Sequence, residues 1–162
     1  MDNFRIMTIK DEDLLECVNT IRSAFAVNAK IFGFTKQNYP SSGAFITLED
    51  LQMAKARNVH MYGVWIENEI AGYVQLERKG EDTYSFQKFA VLPEYRQLGI
   101  GKALIAFCKN KATIYGAKKI SLIMVLENER LLNIYLESGF KLIGTKEDDA
   151  HPFVQGVMEL TL

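Results

Sequence analysis

Val91-Leu-Pro-Glu-Tyr-Arg-Gln-Leu-Gly-Ile-Gly-Lys-Ala-Leu104 joins a strand end, a turn and a helix start in one run. Upstream, Tyr84-Ser-Phe-Gln-Lys-Phe-Ala-Val-Leu92 reads as a buried strand that Pro93 terminates. Downstream, Lys102-Ala-Leu-Ile-Ala-Phe-Cys-Lys109 carries an apolar stripe at helical spacing. The turn Arg96-Gln-Leu-Gly-Ile-Gly101 therefore leads from a strand into a helix N-terminus, where backbone N–H groups lack partners and the helix dipole is positive. Such a turn suits a phosphate. Gly99 and Gly101 allow close approach to the backbone, and Arg96 and Lys102 add positive charge beside it.

Three phosphate motifs compete for this turn. A P-loop requires glycine where Arg96 stands and a hydroxyl residue where Ala103 stands, so it fails twice. A dinucleotide fingerprint requires a third glycine at Leu104 and an alternating βαβ chain, and neither is present. The third pattern, Arg/Gln-x-x-Gly-x-Gly/Ala, cradles the pyrophosphate of coenzyme A and fits Arg96-x-x-Gly99-x-Gly101 directly. Six residues alone do not separate it from an ordinary strand-to-helix turn; the flanking sequence does.

The run from Val91 to Leu104 resembles the acetyl-CoA-binding signature of the GNAT superfamily of N-acetyltransferases. A second block, Asn128-Glu-Arg-Leu-Leu-Asn-Ile-Tyr-Leu-Glu-Ser-Gly-Phe140, is similar to the family's Asn-x-x-Ala-x-x-x-Tyr-x-x-x-Gly-Phe, with Leu131 where alanine is commoner. The two blocks stand in the family's order and spacing. The resemblance implies an α/β (α+β) fold in a single domain over residues 1–162. Its mixed, mostly antiparallel sheet would be splayed between the fourth and fifth strands and flanked by about four helices. It implies transfer of an acetyl group from acetyl-CoA to a primary amine of a small molecule or peptide by direct attack, without a metal. A transferase for another acyl group, or a non-catalytic coenzyme A-binding or sensing domain, is the alternative. A homodimer is compatible with it.

Carried over residue by residue, the resemblance places the pantetheine arm on the backbone of Phe89, Ala90 and Val91. The pyrophosphate then lies beside Arg96 on the N–H groups of Gln97, Leu98, Gly99, Ile100, Gly101 and Lys102. Asn128 contacts the arm, caps a helix, or does both. Tyr135 faces the departing sulfur as general acid. A phenol near pKa 10 donating to a thiolate near 8.5 is uphill by ~2 kcal/mol, so a hydrogen bond that strengthens as charge develops is the expected role. Several family members carry a glutamate base on the fourth strand; here that position is Ser85, with Gln87 as its same-face neighbour, and neither accepts a proton. Two routes remain, water relayed to Glu77 on the third strand, and His151 in Glu-Asp-Asp-Ala-His-Pro-Phe153. Glu77, Gln87, His151 and Phe153 are the candidate acceptor contacts. Arg22, Lys30 and Lys36 could hold an acceptor carboxylate or be solvated surface charge, and His60 has no assigned role.

The remainder agrees with this reading. A net charge of -1 lacks the basic surplus of a nucleic-acid binder. Cys17 and Cys108 sit among apolar neighbours and read as buried thiols, and no Cys/His cluster has metal-ligand spacing. There is no secretory core or membrane span at the level of sequence, so a cytoplasmic location is expected. Strands are expected at 4–8, 61–66, 70–76, 119–126, 140–144 and 154–162. Helices are expected from a cap at Asp11 or Asp13, from Thr47 to near Asn58, and over 129–138 with Gly139 as breaker. Residues 30–45 read as an irregular loop, long enough to carry function.

Overall fold

The computed structural model describes residues 3–162. The expected order of elements is present: β1 (Phe4–Thr8), α1 (Leu14–Phe32), α2 (Leu48–Ala56), β2 (His60–Ile66), β3 (Glu69–Arg78), β4 (Thr83–Val91), α3 (Ile100–Ile114), β5 (Lys119–Val125), α4 (Glu129–Glu137), β6 (Lys141–Lys146) and β7 (Gln155–Thr161). The strands form one sheet in the order β1-β2-β3-β4-β5-β7-β6. Every pairing is antiparallel except β4 with β5.

The parallel pair holds only at its start. Thr83, Tyr84 and Ser85 face Lys119, Ile120 and Ser121, and beyond them the two strands part. On its other edge β4 stays with β3 as far as Val91, but the register shifts between Tyr73 and Gln75. Lys88, at φ 54, stands in that bulge. A bulge adds a residue to one strand and increases local twist, which bends β4 away from its parallel neighbour. It also re-aims side chains: Phe89 packs with Phe86 and Tyr135 beneath α3 and α4, while Lys88 reaches the opposite face and donates to the Ser41 carbonyl.

Two cores fill the two faces. One joins α3 and α4 to the sheet through Phe86, Ile100, Leu104, Tyr135, Phe140 and Met158. The other joins α1 and α2 through Cys17, Ile21, Leu51, Ile70 and Tyr73. Both cysteines are buried and unpaired, and burial first of all pushes each thiol up to about 12.

Three local expectations are corrected. Helix α1 runs through Phe32 and stops at Gly33, which takes the left-handed conformation at φ 71 while the Phe34 N–H closes on the Ala29 carbonyl. The irregular loop therefore begins at Gly33, not residue 30. Asp13 does not cap α1 with its side chain; Asp11–Asp13 form a 3₁₀ turn and Asp13 accepts from the Lys10 N–H instead. Helix α3 starts directly behind Gly99 and continues to Ile114, past the expected Lys109.

Gly43 seats the loop after α1 against that helix, since a Cβ there would lie 2.7 Å from two carbons of the Phe25 ring. Gly43→Ala is expected to cost roughly 1–3 kcal/mol through overpacking, read as a lower denaturation midpoint with an unchanged slope.

Candidate active site

The gap between β4 and β5 opens into a cleft of about 930 Å³ that passes through the molecule from the N-terminus of α3 to the loop after α1. Its lining contains Phe89, Ala90, Val91, Arg96, Gln97, Gly99, Ile100, Gly101, Lys102, Asn128, Tyr135, Gln87, His151 and Phe153 of the expected residues. Leu98 and Glu77 are outside it.

At one end, Gln97 and Gly99 both take positive φ, 67 and 83, and this double left-handed turn starts α3. The first helical bond runs from Ala103 N to the Gly99 carbonyl at 3.0 Å, so the N–H groups of Ile100, Gly101 and Lys102 precede the ladder and remain for an anion. A side chain on Gly101 would place its Cβ 3.1 Å from Phe89 Cζ. Leu98 is 56% exposed and points away, so only its backbone belongs to the turn. Arg96 differs from the simple expectation of an added charge. Its guanidinium donates to the Val91 carbonyl at 3.1 Å and to the Ala24 carbonyl at 3.1 Å, tying the turn to α1. Arg130, unassigned in the sequence reading, is close enough to lower the Arg96 pKa further after burial. It belongs to the second motif block, where its charge was the available signal.

In the middle of the cleft, Tyr135 is 4% exposed and stands among Phe86, Phe89 and Phe140, with ring centroids 6.0, 5.9 and 5.5 Å away. Burial alone raises its phenol above the ordinary value. No buried side-chain polar atom among the described residues lacks a partner, and no hydrogen bond contributes to the Tyr135 shift, so its hydroxyl opens onto the cleft. Asn128 caps α4 by accepting from the Leu131 N–H at 3.2 Å, which leaves its amide donors over the cleft.

At the other end, residues from both sides of the gap meet. Phe34 and Tyr39 from the loop after α1 pack on Phe153 and His151 from the connection between β6 and β7, with centroids 5.1–5.5 Å apart. The His151 Nδ1 lies 2.6 Å from Asp148 Oδ1. Asp148 also accepts from the Ala150 N–H and the buried Gln155 amide. The His151 bond is the first cause holding the Asp148 carboxyl below its ordinary range, so the carboxylate is ionised and Nδ1 must be the donor. In the neutral ring Nε2 is then the acceptor nitrogen.

On β4, Gln87 lines the cleft but its amide is engaged: Nε2 donates to Ser85 Oγ and Glu77 Oε1, and Oε1 accepts from Gln75, which in turn accepts from Tyr73. Glu77 lies behind Gln87, paired with Arg57 at 2.8 Å and Lys79 at 3.3 Å. The Arg57 hydrogen bond is the main cause that lowers its carboxyl to about 2. A carboxylate so held binds protons weakly, and it reaches the cleft only through Gln87. Arg22, Lys30 and Lys36 are exposed and outside the cleft, and His60 stacks on Tyr115.

The Glu77 network fixes a pH response. Its folded pKa is below the unfolded value, so its contribution is present above about pH 4.5 and is lost as pH falls toward 2. Both cations are half exposed and screened, so Glu77→Gln is expected to cost only about 1 kcal/mol at pH 7. That difference should vanish in urea titrations repeated near pH 2.

Known proteins were compared with this chain. An N-alpha-acetyltransferase of Sulfurisphaera tokodaii is 25% identical over 154 residues, covering 85% of this chain and 80% of that protein. A streptothricin acetyltransferase of Escherichia coli is 28% identical over 127 residues, covering 76% and 71%. The PaiA N-acetyltransferase of Thermoplasma acidophilum, solved with coenzyme A, superposes over 100% of both chains with a TM-score of 0.76 at 17% identity. Its likeness establishes the fold. The family described as Acetyltransferase (GNAT) matches residues 26–140, most of the chain, and the protein belongs to that family of acyltransferases.

Proposed function

We infer that the protein is an acetyl-CoA-dependent N-acetyltransferase acting on a primary amine, with Tyr135 and His151 on opposite sides of the reacting carbon. The observation that carries this is the Tyr135 hydroxyl, buried among aromatic rings yet open to the cleft between a free strand edge and a free helix N-terminus. A non-catalytic coenzyme A binder has no use for such a hydroxyl.

Acetyl-CoA supplies the thioester: the amine nitrogen bonds to the acetyl carbon, the C–S bond breaks, and the amine loses a proton. The free edge of β4 at Phe89, Ala90 and Val91 holds the amide-bearing arm as an added strand would. Ile100, Gly101 and Lys102 N–H groups hold the pyrophosphate, flanked by Arg130 and by Lys102, which is itself paired with Glu137 at 3.0 Å. Tyr135 donates to the sulfur as negative charge collects there. Its raised pKa makes early proton transfer more uphill and favours stabilisation through the hydrogen bond. With Nδ1 committed to Asp148, His151 Nε2 in the neutral ring is the nitrogen that receives the proton of the incoming ammonium, directly or through water.

Three variants separate these roles. Gly101→Val should fold but lose acetyl-CoA affinity by about 10-fold or more in calorimetry, since its side chain meets Phe89 and the phosphate path. Unchanged affinity in a folded variant removes the turn from the site. Tyr135→Phe should lower kcat by about 10–1000-fold with little change in acetyl-CoA affinity. His151→Ala should depress kcat/KM and displace the acidic limb of the pH–rate profile, with little change in acetyl-CoA affinity. Wild-type turnover with an unmoved acidic limb overturns the His151 assignment.

A further inference from the structure

The charges that line the cleft are unequal, and the imbalance sits on the acceptor side as well as the cofactor side. Among the described residues the lining holds Lys88, Arg96, Lys102, Arg130 and Lys146, and its one carboxylate is Glu137, already paired with Lys102. Arg96, Lys102 and Arg130 stand by the α3 turn and answer to phosphates. Lys88 and Lys146 do not. The bulge at Lys88 turns its side chain away from the Phe89–Tyr135 face and toward the loop after α1, where Nζ donates to the Ser41 carbonyl at 3.0 Å. Lys146 ends β6 beside the connection that carries His151, and its only acid, Asp148, lies at 4.0 Å and is spent on His151, Ala150 and Gln155.

Lys88 is thus a cation with a neutral anchor and no ion pair. Desolvation is the leading cause lowering its pKa, and the acid that opposes this, Asp50, is occupied in capping α2. A charge partly stripped of water and facing a cleft is an incomplete arrangement, and an incoming anion completes it. The same cleft is lined by Phe25, Phe34 and Phe153, which offer an apolar wall, and by Tyr39, which adds its ring to that wall and carries one hydroxyl.

We propose that the acceptor is an amine that also carries a carboxylate and an apolar body, with the carboxylate on Lys88 and the body against the Phe34–Tyr39–Phe153 wall. This deepens the transferase reading and rests on it. A polyamine or other multiply charged cation fits the lining poorly, because among the described residues its second ammonium meets Lys88 and Lys146 there and no free carboxylate. Free apolar amino acids have the required chemistry. Their α-amine and carboxylate are two bonds apart through one carbon, so binding the carboxylate fixes where the nitrogen stands.

The test uses phenylalanine, leucine and methionine, each paired with its own amide, together with spermidine. Free-thiol release from acetyl-CoA gives kcat/KM, and calorimetry on the coenzyme A complex gives affinity whether or not turnover occurs. The expected result is a preference of about tenfold or more for acid over amide in at least one pair, and spermidine below both. Lys88→Gln should abolish the preference by weakening the acid alone, Lys88→Arg should keep it, and acetyl-CoA affinity should change by less than about twofold in either. Amides equal to acids, spermidine preferred, or a preference that survives in Lys88→Gln overturns the proposal. Acid-selective binding without thiol release from any acceptor leaves the carboxylate site standing and overturns the transferase reading instead.

Discussion

Two parallel strands that part after three paired residues leave an edge of β4 without a neighbouring strand, and the rest of the molecule is arranged around that edge. Buried main-chain groups in folded proteins are almost always paired, so an open edge inside a domain persists only where solvent or a ligand supplies the missing bonds. Here β3 holds one edge of β4 along its length, β7 holds β5, and the gap between β4 and β5 cannot close from either side. Phe86, Phe89, Tyr135 and Phe140 fill the space under the parting strands from the α3–α4 face. The wedge that keeps the strands apart therefore contains the tyrosine whose hydroxyl faces the gap, so opening the cleft and positioning that hydroxyl are one packing problem.

The opposite face is held differently. There the cleft is bounded by a loop and a connection rather than by helices, and three kinds of contact keep them in place. Arg96 ties the α3 turn to the Ala24 carbonyl of α1, Gly43 lets the loop lie on Phe25, and the rings of Phe34, Tyr39, His151 and Phe153 meet across the mouth. An arginine given to two carbonyls is a strut before it is an anion ligand. What the α3 turn offers to the cleft is thus chiefly backbone N–H groups, whose direction is set by φ at Gln97 and Gly99.

Local punctuation and motif spacing made the frame readable from sequence. Pro93 and the two glycines marked the strand-to-helix turn, Thr47 the start of α2, and Gly139 the end of α4, because each acts through its own backbone. Gly33 carried the same kind of signal and was passed over, because residues 30–32 look polar and irregular beside it; helix α1 continues through them on the strength of its buried face. What could not be read was long-range. The partners of Glu77 are 20 residues away in sequence at Arg57 and next door at Lys79, and nothing in the chain announces that the first of these meets it. Lys88 likewise looks like one more strand lysine until the bulge in β4 decides which face it takes. The aromatic closure joins residue 39 to residue 153, a contact that only the fold creates.

The polar file across β3 and β4 holds no group that takes up a proton near neutral pH. Ser85, Gln87, Gln75 and Tyr73 are neutral and donate or accept hydrogen bonds among themselves, and amides and hydroxyls do not take up a proton near neutral pH. The one carboxylate that file reaches, Glu77, is stabilised as the anion by two cations and an amide, which lowers its basicity in proportion to the stability it gains. A glutamate at Ser85 would stand next to Glu77 through Gln87, and the like charge would be felt by both. With neutral groups there, Arg57 and Lys79 anchor β3 without disturbing the cleft, while at the cleft mouth the His151 ring is fixed through Nδ1 by the Asp148 carboxylate.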